Sequence, residues 1–442
     1  MKRDANSQLQ AWKVSARRKP LLLQGARQTG KTYLLKKFGQ EAYRSVIYGN
    51  FEEDTEIDTI FHRDLDPDRI LSELAIYYNM DIQPETDLVI FDEIQVSNRA
   101  LNSLKYFAEK RNDIHIIAAG SLLGVKLSTP GSFPVGKVNF QYLNPMTFLE
   151  FLDAIGEGRY RQLIEGTDGF KPLTEAFHTH LIDLLRKYYF TGGMPEAVQH
   201  FASTQDAHGT RDIQQEIVRS YIFDFAKHAP SADIPKLTAI WESIPKHLAR
   251  ENKKFIFSAI RKGARGREYE SALVWLRDAG LIHRVASVAQ DRLPLKHYAD
   301  AGCFKVYALD VGLLGAMANA PVKLLASGGR LFNEYEGAFV ENYVAQQLVS
   351  SGISELHYWR SNGGKAEIDF LIENDDLVFP LEVKAGINPK SKSLKSYNEQ
   401  FSPLAMLRSN LLNFHQDDKI RNVPLYAVSR LPYLLNLIRG NA

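Results

Sequence analysis

The stretch Leu21–Thr32, LLLQGARQTGKT, decides the fold of the segment around it. An apolar run leads into the spacing GxxxxGKT, and Tyr33–Phe38 then continues with a helical pattern. A strand, a glycine-rich loop and a helix in this order are the context of a phosphate-binding P-loop. The N–H groups of such a loop point at phosphates, and the following helix adds the positive end of its dipole. The stretch therefore predicts a nucleotide site.

Each position of this loop has an expected role. Lys31 would reach the β- and γ-phosphates, and the Thr32 hydroxyl would hold Mg²⁺. The simpler alternative is a glycine-rich turn that a lysine happens to follow. The residues predicted to bind ATP are Gly25, Ala26, Arg27, Gln28, Thr29, Gly30, Lys31 and Thr32, together with Asp92 further along the chain.

A second buried strand ends in an acidic pair. The apolar run Leu88–Phe91 fits a parallel strand that is covered on both faces, and Asp92 and Glu93 follow it directly. In a Walker B arrangement Asp92 helps to hold Mg²⁺ and Glu93 orients the attacking water. Alone, such a run more often marks a strand that leaves the core. Gln95 could contact the water or respond to the nucleotide.

A third buried strand, Ile114–Ala119, ends at Ser121. Ser121 is a candidate for placing the water against the γ-phosphate. It could equally cap a helix that starts near Leu122.

Composition limits the remaining possibilities. A chain of 442 residues predicts two to four domains. Its 54 Lys and Arg nearly balance 52 Asp and Glu, so contact with nucleic acid must come from a local patch. The single Cys303 cannot form an internal disulfide, which favours a cytoplasmic protein. No signal peptide or long apolar run is present, so no membrane contact is expected.

The middle of the chain has two helical parts. Residues 148–229 show successive amphipathic helices that could form a lid over the nucleotide or serve as scaffolding. Helices and paired strands between Ile234 and Asp310 then suggest a winged helix. A basic turn before its longer helix could meet phosphates, although Glu268, Glu270 and Asp278 would oppose them. The basic residues are Arg261, Lys262, Arg265 and Arg267.

The last segment combines acids and a lysine on predicted strands. Asp369 lies on the strand Ala366–Ile372, and Glu382 and Lys384 lie on the next one. With Glu341 from a preceding helix, which we expect from Glu334 to Leu348, these carboxylates could hold Mg²⁺ and so polarise a phosphodiester. Alternation along a strand puts Glu382 and Lys384 on one face. An ordinary hairpin with solvated charges explains the pattern equally well.

Several motifs together resemble the AAA-type ATPases of bacteria and archaea that end in a nuclease-like domain of unknown function. They are GARQTGKT, FDEIQ at 91–95, AGS at 119–121, LNPMTFLEF at 143–151, GGMPE at 192–196, DFAK at 224–227 and LDVGLL at 309–314. The resemblance implies a PD-(D/E)xK nuclease-like C-terminal fold. Many members have Gly-Arg where this chain has Gly136 and Lys137. If that arginine stabilises the transferring phosphoryl group, a lysine lacks its bidentate fork and hydrolysis would be slow.

The sequence thus predicts an α/β protein in four parts. These are a P-loop parallel-sheet ATPase core (residues 1–147), a helical lid (148–233), a winged helix (234–325) and a C-terminal α/β nuclease-like domain (326–442). One hypothesis is that ATP hydrolysis controls a metal-dependent nuclease. The other is a nucleotide-dependent switch that binds DNA, RNA or a protein partner without cleavage. An oligomer is compatible with both hypotheses. Three lysines of the last segment could contact a phosphate backbone: Lys390, Lys392 and Lys395.

Overall fold

A computed structural model describes residues 1–121, 134, 136–250, 253–322, 336–361, 363–387 and 391–440. The chain divides into two compact units. Residues 2–144 and 278–280 form one, and residues 145–277 and 281–442, with Met1, form the other. The division into four parts remains a prediction, and its last boundary, between 325 and 326, lies outside the described residues. Three residues named in the sequence analysis, Leu122, Glu334 and Lys390, also lie outside them.

The first unit is built on a parallel sheet of five strands. Its strands are β1 (Leu21–Gly25), β2 (Ser45–Asn50), β3 (Asp87–Asp92), β4 (His115–Ser121) and β5 (Asn139–Tyr142). Their order across the sheet is β2-β3-β4-β1-β5. Every pair is parallel, so all five carboxyl ends meet at one edge. The predicted α/β fold with a parallel sheet is confirmed for this unit.

Helices cover both faces of this sheet. They are α1 (Ala5–Lys13), α2 (Lys31–Ala42), α3 (Pro67–Tyr78) and α4 (Asn98–Lys110). Alternate side chains of β1 enter different cores: Leu22 packs in one, and Leu21 and Leu23 pack in the other. This is why the strand is a continuous apolar run. The strand therefore fixes the start of the P-loop on a rigid support.

The second unit begins with helices. They are α5 (Phe148–Ala154), α6 (Gly158–Glu165), α7 (Glu175–Thr191), α8 (Pro195–Thr204), α9 (Ala207–His228) and α10 (Ile234–Leu248). Thr147 and Glu150 form a capping box that starts α5. Pro245 lies inside α10.

A mixed sheet of eight strands forms the rest of this unit. Its strands are β6 (Ile282–Val288), β7 (Ala299–Ala308), β8 (His357–Arg360), β9 (Glu367–Asn374), β10 (Leu377–Val383), β11 (Met406–Asn410), β12 (His415–Asp417) and β13 (Ile420–Pro424). The order is β12-β13-β11-β10-β9-β8-β6-β7. The accompanying helices are α11 (Gly266–Asp278), α12 (Val311–Met317), α13 (Glu336–Ser350), α14 (Lys392–Phe401) and α15 (Leu431–Gly440). Because β6 pairs with β8, the predicted wing hairpin and the C-terminal strands share one sheet.

Two of the family-like motifs meet in the core of this unit. Asp310 caps α12 by accepting a hydrogen bond from the N–H of Leu313 at 3.0 Å. Its other carboxylate oxygen accepts from the N–H of Gly193 at 2.6 Å. A Cβ on Gly192 would come within 2.2 Å of Asp310 Oδ1. The two motifs therefore form a structural joint between α7, α8 and α12.

Among the helices of the described residues, none combines the length and hydropathy that a bilayer crossing requires.

Candidate functional site

The P-loop lies at the carboxyl end of β1, between β4 and β5. Gly25 is required there because a Cβ would come within 2.4 Å of the Leu143 carbonyl oxygen. Gly30 has a φ of 88°, which glycine adopts without strain, and it directly precedes α2. The loop between them therefore presents the amino end of α2 at the carboxyl edge of the sheet.

Lys31 extends along the inside of this loop. Its ammonium donates to the carbonyl oxygens of Gly25 and Ala26, at 3.0 and 2.9 Å. The side chain is buried, and burial lowers the pKa of Lys31 to about 8, against the opposing charges of Glu93 and Asp92. A desolvated ammonium of this kind interacts strongly with phosphate oxygens.

Thr32 and Asp92 converge from α2 and β3. The Thr32 hydroxyl donates to Asp92 Oδ2 at 2.6 Å, and the Tyr48 hydroxyl donates to the same oxygen at 3.0 Å. Hydroxyl and carboxylate oxygens are the ligands that Mg²⁺ prefers. The residues at this point therefore fit the predicted metal.

Glu93 follows Asp92 in an unusual backbone conformation. Its φ of 51° is in the left-handed region, where residues other than glycine are uncommon. Its carboxylate accepts a hydrogen bond from the side-chain amide of Gln95. Ser121 ends β4 and is the register partner of Gly25, so the strand that lies between β1 and β3 places it at the loop.

Two contributors to this site were not predicted from the sequence. Arg3 donates to the Thr29 carbonyl oxygen at 2.8 Å and to the Asn144 carbonyl oxygen at 2.6 Å. Tyr48 fixes Asp92, as described above. Arg3 is far from the motif in the sequence and carries no pattern of its own. Tyr48 would have been easier than Arg3 to find from the sequence, because it lies near the end of β2 and the carboxyl ends of parallel strands meet at one edge of the sheet.

Lys137 lies at the position where many members of the family that this sequence resembles have arginine. Its ammonium lies 3.0 Å from Glu109 of α4, and both side chains are partly exposed. Lys137 is therefore already engaged in an ion pair within its own unit.

The C-terminal acids gather around a lysine that the sequence analysis did not single out. Lys305 on β7 is 1% exposed. Its ammonium lies 2.7 Å from Glu367, 3.6 Å from Glu341 and 3.8 Å from Asp369. Lys253 also pairs with Glu341, and the Tyr307 hydroxyl donates to Glu341 at 2.8 Å. Burial and the charge of Glu341 raise the pKa of Asp369 to about 7.

A bulge in β9 determines the position of Asp369. His357 pairs with Leu371 and Trp359 pairs with Ile368, so the single residue between them on β8 faces two residues on β9, one of which is Asp369. A bulge of this kind interrupts the alternation of side chains and turns one of them to a new direction. Asp369 then accepts a hydrogen bond from the N–H of Val383 at 2.8 Å.

Glu382 and Lys384 form an ion pair, although Lys384 lies just beyond the end of β10 and not on the strand as predicted. Their charged atoms are 2.8 Å apart, and Glu382 is 2% exposed, with one carboxylate oxygen that has no hydrogen-bond partner. Burial lowers the pKa of Lys384, but the bond to Glu382 and the charges of Asp369 and Glu341 raise it above its ordinary value. Within the described residues, no three His, Cys, Asp or Glu side chains are arranged to hold a metal ion. The predicted C-terminal Mg²⁺ site at Asp369 and Glu382, with Glu341 nearby, stays a prediction.

Comparisons with known proteins agree with the fold of the first unit. Residues 17–152 match the model of the AAA domain. Residues 182–323 and 336–428 match two domains of unknown function, DUF8612 and DUF4143. No curated protein matches the chain.

Similar solved structures are distant. The Walker-type ATPase PABY2304 of Pyrococcus abyssi is 14% identical, with 72% of this chain and 95% of that chain covered and a TM-score of 0.44. The Aeropyrum pernix ORC1 protein, solved in complex with DNA, is 12% identical, with 72% and 91% covered and a TM-score of 0.28. Cdc6p from Pyrobaculum aerophilum is 14% identical, with 74% and 94% covered and a TM-score of 0.27. The family match and the site geometry together identify residues 17–152 as a P-loop ATPase domain of the AAA type.

Proposed function

We propose that this chain binds ATP with Mg²⁺ and hydrolyses it at the P-loop. The observation that carries the proposal is the convergence of Lys31, Thr32 and Asp92 at the carboxyl edge of the parallel sheet. Thr32 and Asp92 would hold Mg²⁺, which when bound neutralises charge on the phosphates. Backbone N–H groups of residues 25–32 would bind the phosphate oxygens.

The roles of the remaining side chains follow from their positions. Lys31 supplies positive charge to the β- and γ-phosphates from a desolvated position. Glu93 accepts a proton from the attacking water and orients it, and Gln95 holds the Glu93 carboxylate. Ser121, at the end of the neighbouring strand, assists in placing the water.

Measurements of ATP turnover and of ATP affinity distinguish the role of Glu93 from that of Lys31. We expect Glu93→Gln to lower ATP turnover by about 100-fold or more, because it removes the base, while ATP affinity is retained. Lys31→Ala should lose both binding and turnover. Lys37→Ala, which removes a partly exposed lysine of the same helix, is the matched control and should behave as the parent. Equal turnover in the parent and in Glu93→Gln would contradict the assignment.

For the second unit we propose a binding role without cleavage, controlled by the nucleotide. The specific observation is that Lys305 lies within 4.0 Å of Glu341 and Asp369, and that Lys253 also pairs with Glu341. Nucleic acid, DNA or RNA, is the ligand class that the basic turn before α11 fits. Arg261, Lys262 and Arg265 of this turn and Arg267 in the first turn of α11 are all exposed.

The acids that oppose a phosphate backbone near this turn are partly neutralised within the fold. Glu270 pairs with Arg284 at 2.7 Å, and Glu268 lies 4.0 Å from Arg261. Helices α10 and α11 followed by the hairpin β6–β7 are compatible with the winged helix predicted from the sequence. The strands β8 to β11 with α13 are compatible with a nuclease-like fold. Both finer assignments are part of the proposal.

Binding and cleavage are tested separately. We expect Arg265→Gln with Arg267→Gln to weaken the binding of fluorescent duplex DNA or RNA, and to reduce its salt dependence. Lys171→Gln with Arg186→Gln changes the charge equally at exposed positions of the same unit and is the matched control. Equal weakening by the two pairs would contradict an interface at the basic turn.

A supercoiled-plasmid assay with Mg²⁺ or Mn²⁺, with and without ATP, addresses cleavage. We expect no nicking by the parent. Nicking that is lost in Glu382→Ala would instead establish a nuclease, and its dependence on Lys31 would show control by ATP.

A further inference from the structure

The acid cluster of the second unit contains three carboxylates and two ammonium groups. Glu341 comes from α13, and Glu367 and Asp369 come from β9. Lys305 contacts all three within 4.0 Å, and Lys253 contacts Glu341. Glu341 is buried, and Asp369 and Glu367 are partly buried, with side chains that are 6%, 15% and 27% exposed. A carboxylate withdrawn from water needs a partner, because an isolated buried charge is costly.

The partners of these carboxylates are groups of the second unit itself. Besides the two ammonium groups, Glu341 accepts a hydrogen bond from Tyr307 and Asp369 accepts one from the N–H of Val383. Lys305 is nearly inaccessible to solvent, and its distances of 2.7 to 3.8 Å to the carboxylate oxygens place its nitrogen among them. A divalent ion that these acids share would need oxygens at about 2.0–2.1 Å. It would compete with the Lys305 nitrogen for the same space and would be repelled by its charge.

We propose that the ammonium of Lys305 is the permanent cation of this cluster and takes the place that Mg²⁺ would need. The second unit therefore binds no divalent metal at Glu341, Glu367 and Asp369. Removal of the Lys305 ammonium leaves three carboxylates around a cation-sized space, with Lys253 still paired to Glu341, and converts the cluster into a metal site. This inference rests on the proposed non-cleaving role, but it is read from metal binding with no nucleotide or nucleic acid present. Failure to bind nucleic acid or to hydrolyse ATP therefore leaves it unchanged.

The experiment is a Mn²⁺ titration of the full chain, with free Mn²⁺ measured by electron paramagnetic resonance. Lys305→Met keeps the length of the side chain and removes its charge. We expect this variant to bind about one more Mn²⁺ per chain than the parent, since the freed carboxylates are hard oxygen ligands. Adding Glu341→Gln to Lys305→Met removes one ligand and should abolish the gain. Any Mn²⁺ bound at the P-loop is common to all these chains and cancels in the difference.

A second comparison does not depend on the folding of Lys305→Met. The parent and Asp369→Asn should bind the same amount of Mn²⁺, because the parent holds none at this cluster. A loss of bound Mn²⁺ in Asp369→Asn would show that metal binds beside Lys305 and would overturn the proposal. So would a Lys305→Met chain that keeps the parent's circular dichroism spectrum but gains no Mn²⁺. If that variant does not fold, the comparison of parent and Asp369→Asn decides.

Discussion

Arg3 shows how a residue outside a motif can support it. Its guanidinium binds the carbonyl oxygen of Thr29, inside the P-loop, and that of Asn144, just beyond β5. These two bonds tie the loop to the edge of the sheet. Hydrogen bonds to a charged donor are among the stronger ones in proteins, so this contact holds the loop in the form that faces a phosphate.

Replacement of Arg3 should therefore weaken nucleotide binding without contact to the nucleotide itself. We expect Arg3→Ala to lower ADP affinity by about tenfold, which corresponds to about 1.4 kcal/mol. Isothermal titration calorimetry measures this change. Arg17→Ala, at an exposed arginine of the same unit, is the control and should leave the affinity unchanged. An Arg3→Ala chain with the parent's affinity would show that the loop holds its form without this contact.

The charge of Lys31 depends on pH in an accessible range. Burial lowers the pKa of Lys31 to about 8, so the ammonium predominates below that pH and the neutral amine above it. Of these two forms of Lys31, only the charged ammonium attracts phosphates. We therefore expect ADP affinity to be constant at lower pH and to fall as the pH rises above 8, by up to about tenfold per pH unit.

The matched variant for this prediction is Lys31→Arg, because a guanidinium stays charged throughout this range. Its ADP affinity should be nearly independent of pH, even if it is lower overall. Calorimetric titrations between pH 7 and about 9.5 compare the two chains. A parent chain with a flat profile would mean that the lysine keeps its proton in this range.

At the scale of elements, β4 carries a buried histidine whose ionisation opposes folding. The Nδ1 atom of His115 shares a hydrogen bond with the Tyr43 hydroxyl at 2.7 Å, and Trp12 packs against the ring. Burial, helped by Arg18 and Lys13, lowers the pKa of His115 to about 4 from 6.5. Because the unfolded chain binds the proton more readily, stability is retained above pH 6.5 and is lost as the pH falls toward 4.

Substitution of His115 should remove this dependence. We expect His115→Gln to lose less stability than the parent between pH 7 and 5, with a difference of up to about 2 kcal/mol. Hydrogen–deuterium exchange of β4 peptides at the two pH values reports the stability of this element. Equal acid sensitivity in both chains would assign the effect to other groups.

The joint between α7 and α12 depends on a small residue. A Cβ on Gly312 would come within 2.5 Å of the Thr191 carbonyl oxygen. Since backbone cannot move aside easily, Gly312→Ala should lower the free energy of unfolding by about 3 kcal/mol. Urea denaturation measures this change, and Gly352→Ala, where a Cβ meets nothing within 4 Å but φ is positive, is a control for strain without contact. A smaller loss in Gly312→Ala than in Gly352→Ala would contradict the role of close packing.

The elements show what the sequence could and could not predict. The P-loop and the Walker B strand follow from local spacing and from the apolar pattern, and the structure has them. The direction of the Asp369 side chain could not be predicted, because the bulge in β9 breaks the alternation on which such predictions rest. Lys305 was overlooked because its strand was assigned to a wing, in which alternate residues face solvent. Its role depends on a sheet that joins β7 to β9 through β6 and β8, a non-local pairing that no local pattern shows.

At the scale of the whole molecule, the chain has two compact units with separate cores. Leu22 and Phe91 belong to a core of the first unit, and Trp359 and Tyr397 belong to one of the second. The residues proposed to bind ATP all lie in the first unit, within 25–93. A ligand stabilises the state that binds it, by an amount that grows with its concentration over its dissociation constant.

Nucleotide should therefore stabilise the two units unequally. In differential scanning calorimetry we expect Mg²⁺ with ADP, at about 100 times the dissociation constant, to stabilise the first unit by about 2.7 kcal/mol. Its thermal transition should move upward, and that of the second unit should stay. The transitions are assigned with Gly312→Ala, which lowers that of the second unit alone, and with Lys31→Ala, which should remove the effect of nucleotide. A single transition in the parent that moves upward as a whole would instead show that the units unfold together, and the nucleotide would then act on the stability of the whole chain.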